Sequence, residues 1–301
     1  MRVAVTGANG RLGRALVAAL ADAPFTGPAG PIGWDRAAFD LDAPETAAAL
    51  LDQDRPEVVV HAAAWSDVDG CALDPELALR RNGTATGVLA EACAAAAIDL
   101  IAISTNEVFD GLRDDGHGYG PGDPPAPGNP YGASKLEGER RATDAYSRTG
   151  AGSLGIARTA WLFGTPGRDF PSRILDAAER SMAGGDPLRA VADEWGTPTY
   201  IHDLAEAIVE LLAEDAVAGI HHLVNGQVAS RAEWARDTVA RAGVPVETVD
   251  VPSTTWQRPS RPPRWGVLAA TVLPSGEPLR PWREAMADYA PALLRAVRTR
   301  A

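Results

Sequence analysis

The chain opens on an apolar run, Val3-Ala4-Val5, and three glycines at positions 7, 10 and 13 come directly after it. Leu12, Leu16, Val17 and Leu20 then recur at the spacing of one helix face. Strand, glycine turn and helix in that order form the setting in which a dinucleotide is bound. Glycine lets the backbone approach a pyrophosphate closely, and a helix start offers free N–H groups and a favourable dipole. The spacing here is G-x-x-G-x-x-G instead of the commoner G-x-G-x-x-G. Gly7, Asn9, Gly10, Arg11, Leu12 and Gly13 are therefore assigned to a cofactor.

Beyond the glycine loop the chain has the rhythm of a parallel sheet. Residues 31–35 read as a second strand that ends in Asp35, where a ribose-binding carboxylate is expected. Asp35 favours NAD, whereas Arg36 beside it suits the 2′-phosphate of NADP, so the preference stays open. Val58-Val59-Val60 form a third strand, and Ala62, Ala63 and Ala64 after it leave room for a flat ligand. Asp74-Pro75-Glu76 predicts the cap of a long helix to about Ala97, with Asn82 inside it. Ile98 to Ser104 is another buried strand, and Ser104 and Thr105 stand at its carboxyl end. Ligands bind at that edge of an open parallel sheet, which makes Thr105 a candidate to hydrogen-bond a substrate carbonyl. Residues 110–128 are rich in Gly, Asp and Pro and predict a loop over the site. A strand at 154–162 completes a Rossmann-type, doubly wound α/β sheet over residues 1–163. Residues 164–301 lack that alternation and predict a smaller α/β substrate-binding domain, with a strand near 219–225 rejoining the sheet.

The chemistry centres on Asn129-Pro130-Tyr131-Gly132-Ala133-Ser134-Lys135. Tyr131 and Lys135 are four residues apart and share one helix face. Asn129 suits the cap and Pro130 the first turn, which puts Tyr131 at the open end. Lys135 is the only lysine among 28 Lys+Arg residues. Arginine cannot release its proton and is a broad fork, so a compact ammonium is required here. An ammonium beside a phenol stabilises phenolate, and a phenol so tuned passes protons near neutral pH.

Composition narrows the partners. A formal net charge of -12 excludes a general nucleic-acid binder. Cys71 and Cys93 form no disulfide framework, which fits a reducing compartment, and neither has metal-site spacing; no metal-ligating residue is assigned, and metal dependence stays open. No apolar run reaches membrane-spanning length and no signal peptide precedes Val3. A cytoplasmic enzyme is the expectation.

Together these motifs resemble the dTDP-4-dehydrorhamnose reductase family of the extended short-chain dehydrogenase/reductases, nearly end to end. The resemblance rests on Gly10-Arg11-Leu12-Gly13, Ala62-Ala63-Ala64-Trp65 with Val68-Asp69, Asn82, and Ser104-Thr105 with Val108-Phe109-Asp110-Gly111. It continues through Tyr131-Gly132-Ala133-Ser134-Lys135-Leu136-Glu137-Gly138-Glu139, Arg158-Thr159-Ala160-Trp161, Gly196-Thr197-Pro198-Thr199 and Leu279-Arg280-Pro281-Trp282. It implies hydride transfer from NADPH or NADH to the 4-keto group of a nucleotide sugar, with catalysis by Tyr131, Lys135 and Thr105. Asp40, Leu41 and Ser104 join the implied cofactor set, and Tyr131 and Lys135 belong to it too. Lys135 would hold the nicotinamide ribose and keep the tyrosine pKa low. Thr105, Asn106, Glu107, Tyr131 and Trp161 are the implied substrate contacts. A homodimer is compatible with the resemblance, and the sequence itself discloses no oligomeric state.

Two departures bear on the substrate. The family pattern Ser-Thr-Asp-Tyr-Val-Phe is here Ser104-Thr105-Asn106-Glu107-Val108-Phe109, and a second-half Arg-Pro-x-x-Ser pattern is blurred at 261–266. A ketoreductase of another nucleotide deoxysugar, or a non-catalytic NADP-binding regulatory subunit, are the alternatives.

Overall fold

Val3, Val5, Val58 and Val60 point to one face of a sheet while Ala4 and Val59 point to the other, as strand periodicity requires. Both faces are covered, so these strands read as continuous apolar runs. The computed structural model describes residues 1–165 and 169–298. Strand β1 (Val3–Thr6) leads into α1 (Arg11–Asp22), then β2 (Ile32–Trp34), α2 (Ala47–Asp54) and β3 (Val58–His61). Next come α3 (Val68–Leu73), α4 (Pro75–Ala78), a π-helical segment Leu79–Thr84, and α5 (Ala85–Ala95). Strand β4 (Asp99–Thr105), α6 (Pro130–Thr149) and β5 (Leu154–Thr159) complete the first half.

The second half contains β6 (Leu162–Phe163), α7 (Phe170–Gly184), β7 (Leu188–Val191), β8 (Trp195–Gly196) and β9 (Thr199–Tyr200). It continues with α8 (Ile201–Ala213), β10 (Gly219–His222), β11 (Ala229–Ser230), α9 (Arg231–Ala242), β12 (Thr248–Val251) and α10 (Trp282–Arg298).

The main sheet has six parallel strands in the order β10-β5-β4-β3-β1-β2. Helices α1 and α8 pack on one face through Leu16, Leu20, Leu204 and Ile208. Leu51, Leu89 and Tyr146, from α2, α5 and α6, cover the other. The chain winds in opposite directions from β1 to β2 and from β1 to β3, so a crevice opens above the carboxyl ends of those two strands. The doubly wound parallel sheet is thus present. A separate core joins α7, α9 and α10 around Leu175, Trp234, Trp282 and Tyr289. Small two-stranded sheets, β7 with β12, β8 with β11 and β6 with β9, tie this part together.

Candidate active site

Two adjoining cavities, of about 340 and 280 Å³, lie at the carboxyl edge of the sheet. Gly7, Gly10, Ala62 and Ala64 line both, so the glycine loop forms their junction. A side chain at position 13 would bring a Cβ to 2.1 Å from the Gly7 carbonyl oxygen, and Gly7 itself has φ +65°. The loop therefore folds back over the start of α1 only because both residues are glycine. The outer cavity runs past Asn9, Arg36, Asp40 and Leu41, and the inner one reaches Ser104, Thr105, Tyr131 and Lys135.

Helix α6 places the last two. Asn129 caps it, accepting the Gly132 N–H at 2.9 Å, and Pro130 occupies its first turn. Gly132 is needed for a different reason: a Cβ there would lie 1.9 Å from the Glu107 carbonyl oxygen. The 106–108 turn thus rests directly on the helix start, bringing Thr105 beside Tyr131. Thr105 accepts the Glu107 N–H at 3.2 Å, and its hydroxyl donates to Asn106 Oδ1 at 3.3 Å and lies near enough to the Tyr131 phenol to affect its pKa.

Electrostatics here run against the simple expectation of a lowered tyrosine pKa. Burial pushes the Tyr131 phenol up, and the negative charge of Glu107 adds to this; the Thr105 hydroxyl pulls the other way. Lys135 is itself buried and its ammonium is pushed down to about 8 by burial, with Glu139 opposing that shift. Desolvation outweighs the attraction between phenolate and ammonium because neither group has water around it. The phenol consequently keeps its proton at neutral pH.

The loop that lines both cavities is anchored from beneath. Asn82, on the π-helical segment, is buried rather than solvent-facing. Its Oδ1 accepts the Trp65 N–H at 2.8 Å, and its Nδ2 donates to the Trp65 carbonyl and to Ser134 Oγ, both at 3.0 Å. A π-turn in a helix is a frequent mark of a functional site. Here it aims one amide at both the 62–65 loop and α6.

Across the inner cavity stand Trp161, Phe170, Arg173, Arg231 and Trp234. The Arg231 guanidinium lies 3.6 Å from the centre of the Trp161 ring. Trp161 has φ +45°, uncommon for a bulky residue, and the bare Cα of Gly196 makes room for its indole.

Comparison with known proteins agrees with this arrangement. Residues 1–294 match the family model described as "RmlD substrate binding domain". A dTDP-4-dehydrorhamnose reductase of Streptomyces griseus is 34% identical over 296 residues, spanning 96% of this chain and 93% of that protein. The chain belongs to the dTDP-4-dehydrorhamnose reductase family. A Streptomyces antibioticus protein named "Probable dTDP-4,6-dihydroxy-2-methyloxan-3-one 4-ketoreductase" is 33% identical, over 98% of this chain and 97% of its own. The crystal structure of a Bacillus anthracis dTDP-4-dehydrorhamnose reductase in complex with NADP superposes with a TM-score of 0.83 at 27% identity. It covers 96% of this chain and 98% of that one.

A nicotinamide dinucleotide, the cofactor type expected of a reductase of this family, fits the residues present. The start of α1 has no side-chain cap, and its glycine loop sits at the junction of the two cavities. Lys135 makes no hydrogen bond among the described residues, and the buried Thr159 Oγ1 on the same cavity wall has no partner.

Of the catalytic, cofactor and substrate residues assigned from the sequence, all but Asp35 line one cavity or the other. Asp35 caps its own turn instead, accepting N–H groups of Ala37 and Ala38 at 2.9 and 3.1 Å, and receives Asn9 Nδ2 at 3.2 Å. Arg36 is exposed on the outer cavity, near Asp40 and Asp42. The 110–128 segment does not cover the site: none of its residues lines either cavity. Tyr119 instead stacks on Phe109 and bonds the backbone of Val267 and Ala269. Arg231 and Trp234 escaped sequence reading because Ser230 and Glu233 already explain that stretch as a capping box. Among the described residues, no acidic, His or Cys cluster forms a metal site, and no helix is long and apolar enough to cross a membrane.

Proposed function

We propose that this chain reduces the 4-keto group of dTDP-4-dehydrorhamnose with NADPH or NADH, yielding dTDP-L-rhamnose. The observation that carries the reading is the gathering of Thr105, Tyr131 and Lys135 on one cavity continuous with the glycine loop. When bound, the cofactor supplies a hydride for the ketone carbon. Tyr131 donates its proton to the oxygen on which negative charge develops; even with a raised pKa, a phenol is far more acidic than a secondary alcohol. Thr105 polarises the same oxygen through its hydroxyl. Lys135, left without a hydrogen bond among the described residues, holds the nicotinamide ribose and keeps positive charge near the phenol. Gly7 to Gly13 receive the pyrophosphate at the helix start. Arg36, exposed on the outer cavity while Asp35 is engaged in its own turn, favours a 2′-phosphate and hence NADPH. Residues 1–163 thus form the cofactor-binding part, and 164–301 complete the substrate wall through Phe170, Arg173, Arg231 and Trp234.

A second reading, reduction of a different dTDP-linked keto-sugar, is favoured by one observation. Glu107 stands on the inner cavity where the family carries an aromatic residue. The Streptomyces antibioticus relative bears the name of such an activity. The test is to follow nicotinamide absorbance at 340 nm, the wavelength where only the reduced form absorbs, with a set of dTDP-keto-sugars and both cofactors in parallel. Oxidation of NADPH with dTDP-4-dehydrorhamnose is expected. No oxidation with any sugar overturns the reductase reading, and oxidation with another sugar alone selects the second.

A further inference from the structure

Glu107 is held in an unusual way for a carboxylate on a cavity wall. Its Oε2 receives Asn129 Nδ2 at 2.6 Å, and the same Asn129 caps α6 through Oδ1. The carboxylate is thereby fixed to the turn of helix that carries Tyr131, and its charge acts on that phenol. Its other oxygen, Oε1, accepts no hydrogen bond from the described residues. No cation among them reaches it at ion-pair distance either: Arg231 is 3.7 Å from Glu194, and Arg258 donates to Asp69 at 3.2 Å. Glu107 is half-buried on the cavity wall, and its pKa is raised, chiefly by burial. A ligand that fills the cavity displaces water from that oxygen, and the loss is recovered only when the ligand supplies a donor.

The place of that donor is set by Tyr131. With the phenol addressing the ketone oxygen and Glu107 close enough for its charge to act on that phenol, the substituents within reach of its free oxygen are those on the ring carbon next to the ketone. We propose that Glu107 accepts a hydrogen bond from a hydroxyl or amino group on that neighbouring carbon and so selects nucleotide keto-sugars that carry such a donor. This rests on the reductase reading of the site for its orientation. A ring lacking the donor leaves the carboxylate desolvated and unpaired, which penalises the wrong sugar as well as favouring the right one.

Titration calorimetry on the cofactor-free protein tests this with three unreactive dTDP-6-deoxyhexoses bearing a 3-hydroxyl, a 3-amino group or no 3-substituent. The wild-type protein binds at least one donor-bearing sugar about 10- to 100-fold tighter than the 3-deoxy sugar. The tighter of the two identifies the donor. Glu107→Leu abolishes the preference, and Glu107→Gln, which keeps the Asn129 contact, reduces it at least about fivefold, less than removal of the acceptor does. Absence of preference in the wild type, or an unchanged preference in both variants, overturns the proposal. Binding with the predicted preference but no turnover of any keto-sugar overturns the reductase reading alone, and failure to bind all three overturns both.

Discussion

Arg158 grips both carboxylate oxygens of Glu139, with Nε at 3.0 Å and Nη2 at 2.7 Å, where neither side chain reaches solvent. Ser104 adds a hydroxyl to the same carboxylate, so β4, β5 and α6 are joined beneath the floor of the inner cavity. A buried pair of this kind contributes little relative to an apolar pair, but breaking it strands a charge. Glu139→Ala is expected to lower the unfolding free energy by about 3–5 kcal/mol. Urea unfolding measures this, and a loss below about 1 kcal/mol would show that water or another group satisfies Arg158.

Lys135 sits one turn before that pair and profits little from it, since Glu139 gives its oxygens to Arg158. Its pKa of about 8 places its titration within reach of ordinary assays. Activity that depends on the ammonium is expected to fall above about pH 8. Stability moves oppositely. Between about pH 8 and the unfolded value of 10.5 the unfolded chain binds a proton that the folded chain has released. Stability from this group therefore rises with pH across that window. Lys135→Arg is expected to lower kcat about 100-fold, because the guanidinium fork is too broad for the site and stays charged. A pH–rate profile whose alkaline limb is the same in both proteins would remove Lys135 from the explanation.

The raised phenol pKa gives Tyr131 a definite signature. Tyr131→Phe is expected to reduce kcat by about 10²- to 10⁴-fold while dinucleotide binding, followed by fluorescence quenching, stays within about twofold of wild type. Equal loss of binding and turnover would mean that the hydroxyl positions ligand and does not move a proton.

The alternation of strands and helices was legible because strands buried on both faces are almost unbroken apolar runs, as Val58-Val59-Val60 shows. Lys135 stood out by chemistry alone, as the one ammonium among 27 guanidinium groups. Asp35, by contrast, has the right spacing from the glycines, but a short acid at the start of a turn caps its own backbone when two N–H groups lie within reach. The 110–128 segment is loop by composition, yet composition carries no information on where a loop lies; Tyr119 decides that by stacking on Phe109. The direction of the Tyr131 shift depends on burial, which four-residue spacing does not encode. Arg231 becomes visible only when α9 is brought against Trp161.

His61 joins the two halves of the site floor through a chain whose direction can be worked out. Thr86 Oγ1 donates to the Asn82 carbonyl at 2.8 Å, so it must accept from His61 Nε2 at 3.1 Å. Nδ1 is then the acceptor for Thr6 Oγ1 at 2.8 Å, and Thr6 in turn accepts the Ala63 N–H at 3.1 Å. The neutral ring completes every bond, and burial pushes its pKa down to about 3. Between pH 6.5 and about 3 the unfolded chain binds a proton that the folded chain refuses, so stability falls as pH drops through this window. His222, pushed down to about 4 by burial and by Arg158, adds a similar dependence. Each such group costs up to about 1.4 kcal/mol per pH unit well below 6.5. Comparing urea midpoints at pH 7.5 and 5 for the wild type and His61→Gln isolates the first contribution. The variant is expected to start less stable at pH 7.5, having lost two well-aligned bonds, but to lose less on acidification. Parallel pH curves for the two proteins would mean that His61 is protonated in the fold, with Nδ1 donating to Thr6 Oγ1 instead of accepting from it.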